Sequence, residues 1–170
     1  MIDYTEHPSP VGTLLLAATG RGLCGLYFEE HKYFRGPGGW TRNPSNPHLQ
    51  SAMRQLDEYF DGARDRFEIA LDLAGTPFQR AVWDALQALP FGCTSNYQSI
   101  ARTVASPKAT RAAGTAIGRN PVSIIVPCHR VLAASGRMGG FSANGGIATK
   151  RRMLEIEGAA ALGAGPLFER

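Results

Sequence analysis

Two short helices joined by a single tight turn are the strongest constraint on the fold of this sequence. Ser95 and Gln98 have the spacing of a capping box, which predicts that a helix begins there and continues to about residue 104. Ser106 and Pro107 predict a second helix start, because a serine cap followed by proline is typical of helix N-termini. Only Ala105 and Ser106 remain for the turn. The sequence therefore predicts a helix-turn-helix.

The second of these helices, residues 108–118, has an unusually thin surface. Most of its residues are alanine or glycine, and Arg111 is the one long cation in its middle. A helix that reads bases in the major groove generally presents several long polar side chains, and this one offers almost none. A thin helix lets backbone amides approach phosphates, or lets the helix press against a minor groove. The same residues would also suit a helix packed tightly in a core.

The charge distribution separates the two halves of the chain. Residues 1–74 carry 7 basic and 10 acidic side chains, whereas residues 75–170 carry 11 basic and 4 acidic ones. No Asp or Glu lies between Ala85 and Leu154, a segment that contains nine lysines and arginines. Such a segment favours a polyanionic partner, because cations neutralise phosphates and release counterions. Together with the thin helix it favours sequence-independent DNA binding over a sequence-specific regulator; a basic domain without a particular partner is the remaining alternative.

The N-terminal part predicts a small α/β unit. Two apolar runs around Gly20 and Gly22 predict a β-hairpin over residues 13–30, and the Gly- and Pro-rich residues 31–47 predict a loop. Apolar residues at helical spacing predict a helix over 49–60 that Gly62 stops, and alternation over 66–73 predicts a strand. Thr76 and Pro77 then begin a new helix. We therefore predict two domains, 1–74 and 75–170, in an α+β chain.

Several protein classes are excluded or disfavoured by composition. No apolar run approaches the roughly 18 to 20 residues of a membrane span, and the N-terminus lacks a signal-peptide pattern. The three cysteines, Cys24, Cys93 and Cys128, form no C-x-x-C pair, so a disulfide framework is not expected. These features predict a cytoplasmic protein.

Cys128 lies in the apolar, strand-like segment IIVPCHRVLAA, beside His129 and Arg130. His129 could accept the thiol proton directly or through a water. The positive charge of Arg130 favours the thiolate, so it would lower the pKa of the thiol below its ordinary value of about 8.5. Asn120, ahead of this segment, could brace a turn. The alternatives are an inert core cysteine, a metal site that lacks further ligands nearby, and a hydrolytic cysteine enzyme that lacks the expected downstream histidine.

Four segments in order resemble the O6-alkylguanine-DNA alkyltransferases: SNYQSIA (95–101), PKATRAAG (107–114), NPVSIIVPCHRV (120–131) and GGIATKRRMLEIEG (145–158). The resemblance covers about residues 76–158. It implies a small RNase H-like N-terminal α/β domain and an all-α, winged-helix-like C-terminal domain. It also implies that the helix-turn-helix binds the minor groove of double-stranded DNA and flips the alkylated base into a pocket.

The same resemblance implies a reaction. The alkyl group of O6-alkylguanine, and in some members O4-alkylthymine, would pass irreversibly to Cys128 in a single turnover without a cofactor. His129 would deprotonate the thiol through a water, and Glu157 would orient the imidazole. The protein would act as a monomer, with cooperative binding on DNA left open.

The resemblance further implies roles for residues around the base. Arg111 would occupy the space that the flipped base leaves, Tyr97 would donate to the guanine ring, and Asn120 would support the active-site turn. The other residues expected to contact the substrate or the DNA are Val131, Ser142, Ile117, Phe141 and Gly114. As alternatives, Tyr97 and Ile117 could be core residues, and Glu157 an ordinary surface acid.

Some positions depart from the family pattern. Ala105 stands in the turn where relatives often have glycine, and Ser123 where some have a pocket-lining proline. Some relatives bind zinc in the N-terminal unit, but Cys24 and the few histidines here lack ligand spacing, so we predict no metal. A non-catalytic lesion sensor is the main functional alternative, and the acceptor cysteine argues against it.

Overall fold

The computed structural model describes residues 1–29, 34–133, 135, 136, 138 and 146–158. The chain divides into two compact units, one formed by Met1–Ala74 with Pro121–Ile125 and the other by Gly75–Asn120 with Val126–Arg170. The first contains a sheet and one helix, and the second is mainly helical, so the predicted α+β class is confirmed. Within the described part of the chain, no helix is long and apolar enough to cross a membrane.

A four-stranded sheet organises the first unit. Its strands are β1 (Asp3–His7), β2 (Leu14–Ala18), β3 (Leu23–Tyr27) and β4 (Thr41–Arg42), in the order β3-β2-β1-β4. The β2–β3 hairpin is confirmed, whereas β1 was not predicted and β4 lies inside the segment predicted as loop. Both missed strands are short and largely polar. In β1 only Thr5 is buried, and both residues of β4 are exposed. Apolar alternation therefore could not identify them.

The predicted helix of the first unit is confirmed as α1 (Pro47–Phe60). The Asn46 side chain accepts hydrogen bonds from the backbone N–H groups of the first turn, and Leu49, Ala52 and Leu56 are fully buried. The predicted strand over 66–73 is wrong. This segment forms a single bridge, Leu71 to Leu23, and its backbone passes so close to Gly22 that a Cβ there would lie 2.6 Å from the Ala70 carbonyl oxygen.

The second unit begins with α2 (Pro77–Gln87), whose predicted start is confirmed. Thr76 and Gln79 form a reciprocal capping box, and Val82, Trp83 and Leu86 are buried. The Trp83 indole N–H donates to the Ala116 carbonyl at 2.9 Å. This bond ties α2 to the fourth helix of the chain.

The predicted helix pair is present, with corrected starts. A short strand β5 (Ser95–Asn96) precedes α3 (Tyr97–Val104), and the cap of α3 is Asn96 rather than Ser95. Pro107–Ala109 form a 3-10 turn before α4 (Thr110–Gly118), and Ser106 makes no side-chain cap hydrogen bond. The chain then reaches the two-residue strand β6 (Val131–Leu132), which pairs with β5 in parallel, and α5 (Ile147–Ile156).

The apolar run before Cys128 is not the strand that its sequence suggested. Apart from an isolated bridge of Val122 to Leu26, residues 121–127 form turns and bends. Ile124 is buried with a φ of 72°, a conformation that is rare for a β-branched residue. Two prolines, Pro121 and Pro127, lack the N–H group that a strand ladder needs. The continuous apolar run is buried here because it forms a compact turn. A run of apolar residues looks the same in the sequence whether it forms such a turn or a buried strand.

Candidate active site

Cys128 begins a buried 3-10 turn, Cys128–Arg130, and Asn120 holds the backbone in front of it. The Asn120 side chain is 1% exposed, and its Nδ2 donates to the Val126 carbonyl at 2.7 Å. Asn120 also makes a side-chain hydrogen bond with Cys128. The side-chain amide of Asn120 therefore fixes both the turn and the sulfur of Cys128. Cys128 is only 7% exposed.

Glu157, directly after α5, connects the two residues that follow Cys128. Its Oε2 lies 2.7 Å from Nε2 of His129, and Arg130 donates to both carboxylate oxygens at 2.8 Å. Arg130 also donates to the Leu89 carbonyl at 2.6 Å. All three side chains are buried, so Glu157 is not the surface acid that its position near a helix end would suggest.

The protonation of this group follows from burial and hydrogen bonding. Burial lowers the pKa of His129, and the Glu157 carboxylate offsets that effect only in part. Burial alone would raise the pKa of Glu157, but the hydrogen bonds and charges of His129 and Arg130 hold it well below its ordinary value. An ionised carboxylate can only accept, so His129 Nε2 donates to Glu157. The neutral ring then keeps Nδ1 as an acceptor, which is what a general base requires.

The Cys128 thiol is protonated at rest. Burial raises its pKa, while the Asn120 hydrogen bond, the charge of Lys150 and backbone N–H groups compensate only in part. A thiol with a raised pKa needs a base at neutral pH, and the neighbouring neutral imidazole can serve as one.

Tyr97, the first residue of α3, is half-buried and interacts with the same cluster. Burial, and then the charge of Cys128, raises the pKa of its hydroxyl, which therefore stays protonated and can donate. Its ring packs beside Gly114, where a Cβ would lie 3.8 Å from Tyr97 Cδ1. The ring also lies beneath the ammonium of Lys150, at 5.7 Å from the centroid.

The remaining candidates divide into three groups. Ile117 and Val131 are buried in this unit. Arg111 is exposed on α4, where it lines an open groove of about 580 Å³ together with Lys108 and Arg119. Phe141 and Ser142 lie outside the described residues. The structure thus brings Cys128, His129, Glu157 and Asn120 into one buried cluster with the half-buried Tyr97, and leaves Arg111 on an exposed face.

For one residue of the cluster the sequence predicted the wrong role, and another residue was missed. Arg130 was expected to favour the thiolate of Cys128, but its guanidinium forms an ion pair with the carboxylate of Glu157. Lys150 was not singled out at all, although it lies in α5 seven residues before Glu157, with Met153 and Leu154 buried between them. That spacing, two helical turns, would place Lys150 and Glu157 on the same face and was the available signal.

Comparisons with known proteins agree across nearly the whole chain. Residues 2–73 match the ribonuclease-like domain of 6-O-methylguanine DNA methyltransferase, and residues 77–159 match its DNA-binding domain. The methylated-DNA–protein-cysteine methyltransferase of Mycolicibacterium paratuberculosis is 43% identical over 92% of this chain and 93% of its own. The crystal structure of the Mycobacterium tuberculosis O6-methylguanine methyltransferase is 44% identical, with a TM-score of 0.84 over 92% of this chain and 93% of that one. A structure of the Mycobacterium tuberculosis protein in complex with DNA has a TM-score of 0.83 at 43% identity, over 91% of this chain and 92% of that one.

Proposed function

Because the chain belongs to the 6-O-methylguanine DNA methyltransferase family, we propose that Cys128 is the residue that takes the alkyl group from DNA. The activity itself is that of the family: direct-reversal repair by a methylated-DNA–protein-cysteine S-methyltransferase, with DNA as the partner. One observation carries the assignment of the nucleophile. Cys128 is adjacent to a neutral histidine whose Nε2 is bound to a buried carboxylate, which is the arrangement of an activated nucleophile.

The first step is the removal of the thiol proton. His129 accepts it at Nδ1, through one water, and becomes an imidazolium whose Nε2–H still donates to Glu157. The ionised Glu157 stabilises the new positive charge, while Arg130 fixes the two carboxylate oxygens. Asn120 keeps the sulfur in place through the same step.

The second step is a displacement at carbon. The thiolate of Cys128 forms a bond to the alkyl carbon, and the bond between that carbon and O6 of guanine breaks. The electron pair leaves with the purine, and the protonated Tyr97 hydroxyl donates a hydrogen bond to the ring as negative charge develops there. The product is a thioether without a good leaving group. Each protein molecule therefore acts once, and the displacement requires no cofactor.

We assign DNA contact to the helix pair α3–α4, with α4 against the minor groove and the alkylated base turned out of the duplex. The thin helix and the three cations of its groove support contact with phosphates in any sequence. Ile117, Val131, Phe141 and Ser142 would then line the base pocket, and Gly114 would allow the close approach. A monomer suffices for this geometry, and a reducing cytoplasm suits a protein whose three cysteines are all free.

Replacing Arg111 with alanine will test the DNA-binding part of the proposal. We expect the affinity for duplex DNA and the rate of duplex repair to fall roughly tenfold or more, because unstacking a base costs a few kcal/mol that Arg111 helps to offset. Reaction with free O6-benzylguanine should keep the wild-type rate, since a free base needs no flipping. Gel shifts and single-turnover rates on both substrates measure the difference.

The matched control is Arg54→Ala, which removes one exposed cation from α1 in the first unit. If Arg54→Ala weakens DNA binding as much as Arg111→Ala, the effect is one of net charge and not of position. If the reaction with the free base falls as far as duplex repair, Arg111 is not the residue that replaces the flipped base.

The experiment that tests the function as a whole is a titration of limiting protein with excess O6-methylguanine duplex. Lesions should disappear in a one-to-one ratio to protein and repair should then stop. Continued repair beyond that ratio would exclude a thioether end product.

A further inference from the structure

Lys150 is a buried cation for which the reaction described above has no use. It lies in α5, is 1% exposed, and donates from Nζ to the Met138 carbonyl oxygen. Lysine is almost never fully buried unless it is paired. Among the residues that the structure describes, however, Lys150 forms no ion pair with a carboxylate, because Arg130 and His129 occupy Glu157.

The charges around Lys150 leave one partner for it. Among the residues that the structure describes, the titratable groups that face this cluster are Tyr97 of α3, the three residues of the Cys128–Arg130 turn, and Glu157. Tyr97 and His129 are neutral, and Glu157 is balanced by Arg130. Of these described groups, the sulfur of Cys128 is the one that remains and can become negative. With Lys150 protonated and Cys128 ionised, the buried cluster has no net charge.

The electrostatic coupling between Lys150 and Cys128 works in both directions. The charge of Lys150 lowers the pKa of Cys128, and the charge of Cys128 raises the pKa of Lys150. Burial is the larger effect on the lysine, and it lowers the pKa of Lys150 to about 8. The ammonium is therefore present below pH 8 and lost above it.

We propose that the Lys150 ammonium is the counter-ion of the Cys128 thiolate, held in place by the Met138 carbonyl and the face of Tyr97. Lys150 is a positioning residue in this role, because it acts through the sulfur and not on the substrate. The proposal rests on the proposed function only in naming the reaction that uses the thiolate. Once the sulfur has bonded to carbon it is neutral, and the negative charge has left with the purine. Lys150 is then a buried cation without a counter-ion.

The test is the pH dependence of Cys128 alkylation in Lys150→Met, with iodoacetamide as the probe and the rate read on the Cys128 peptide. A neighbouring opposite charge shifts a pKa by roughly 1–3 units, so the variant should react about tenfold or more slowly below pH 8. The difference should shrink toward none as the pH rises through 8 and wild-type Lys150 loses its proton. A loss by the same factor at every pH would mean a structural role only and would overturn the proposal.

Lys150→Arg is the matched variant that keeps the charge. Because a guanidinium does not lose its proton in this range, its advantage over Lys150→Met should persist above pH 8, where the wild-type advantage disappears. If the arginine and methionine variants have the same profile, the charge is irrelevant. Iodoacetamide needs neither DNA nor a lesion, so failure here leaves alkyl transfer intact, and failure of alkyl transfer leaves this result unaffected.

A measurement on the unmutated protein covers the case in which a variant does not fold. The Lys150 side chain can be titrated by NMR before and after methylation of Cys128. We expect the pKa of Lys150 to fall on methylation, because a methylated sulfur can no longer ionise as the pH rises, and an ionised Cys128 raises the pKa of Lys150. An unchanged or higher pKa after methylation would overturn the proposal.

Discussion

Cys128→Ser protein will bind an O6-methylguanine duplex with wild-type affinity and transfer no methyl group. A buried serine hydroxyl has nearly the size of the thiol, so the turn and its Asn120 brace should remain. Its oxygen is much harder to deprotonate than sulfur and is intrinsically a weaker nucleophile, so the methyl group should stay on the base. Gel shifts measure affinity, and transfer of radiolabelled methyl from DNA to protein measures the reaction.

The control for this variant is Cys93→Ser, because Cys93 is the exposed cysteine of the chain. It should transfer methyl at the wild-type rate. Measurable transfer by Cys128→Ser would assign the alkyl group to another acceptor. Loss of DNA binding along with transfer would mean that the substitution disturbs the fold and not only the chemistry.

His129→Gln is expected to have the second largest effect. General-base catalysis typically contributes about 10²–10⁴-fold, so single-turnover methyl transfer near pH 7 should fall by that factor. A glutamine amide can still donate to Glu157, so the buried carboxylate keeps a partner. The rate should rise with pH toward the wild-type value, because the thiol of Cys128 then ionises without a base. Its raised pKa places that recovery at alkaline pH.

His48→Gln provides the comparison, since His48 lies in α1 of the first unit. It should leave the transfer rate and its pH profile unchanged. A fall of less than tenfold in His129→Gln, or a uniform loss at every pH, would remove the histidine from the proton transfer. Thermal unfolding of each variant separates loss of chemistry from loss of structure.

Local chemistry explains which elements could be predicted from the sequence. The start of α2 and the hairpin could be predicted because caps, prolines and glycines act within a few residues. Helix α1 could be predicted from apolar residues at helical spacing, although it begins at Pro47, two residues before the predicted start. Strand β1 was missed because its side chains are mostly half-buried, and β4 has only two residues, so both are defined by pairing with distant backbone. Residues 66–71 alternate in burial, but the segment 66–73 forms a single bridge to Leu23, so its sequence pattern predicted more strand pairing than exists.

In the candidate site, too, local features could be predicted from the sequence and features that depend on distant packing could not. Cys128 and His129 were found because they are adjacent in the sequence, and Asn120 because an Asn-Pro pair ahead of them is typical of a braced turn. Tyr97 and Glu157 were found only through the resemblance of whole segments. No local signal states that the Arg130 guanidinium points at Glu157, 27 residues away, since only the packing of α5 brings the two together. Lys150 was missed because a lysine in a basic segment is ordinarily solvated, and its burial depends on that same packing.

The final position of the methyl carbon tests most directly whether Cys128 is the acceptor. After incubation with excess O6-methylguanine duplex, the intact mass of the protein should increase by a single methyl group, and peptide mapping should place it on the sulfur of Cys128. A protein that emerges with its original mass, or with the methyl group on any other residue, would contradict the assignment on which the whole mechanism rests.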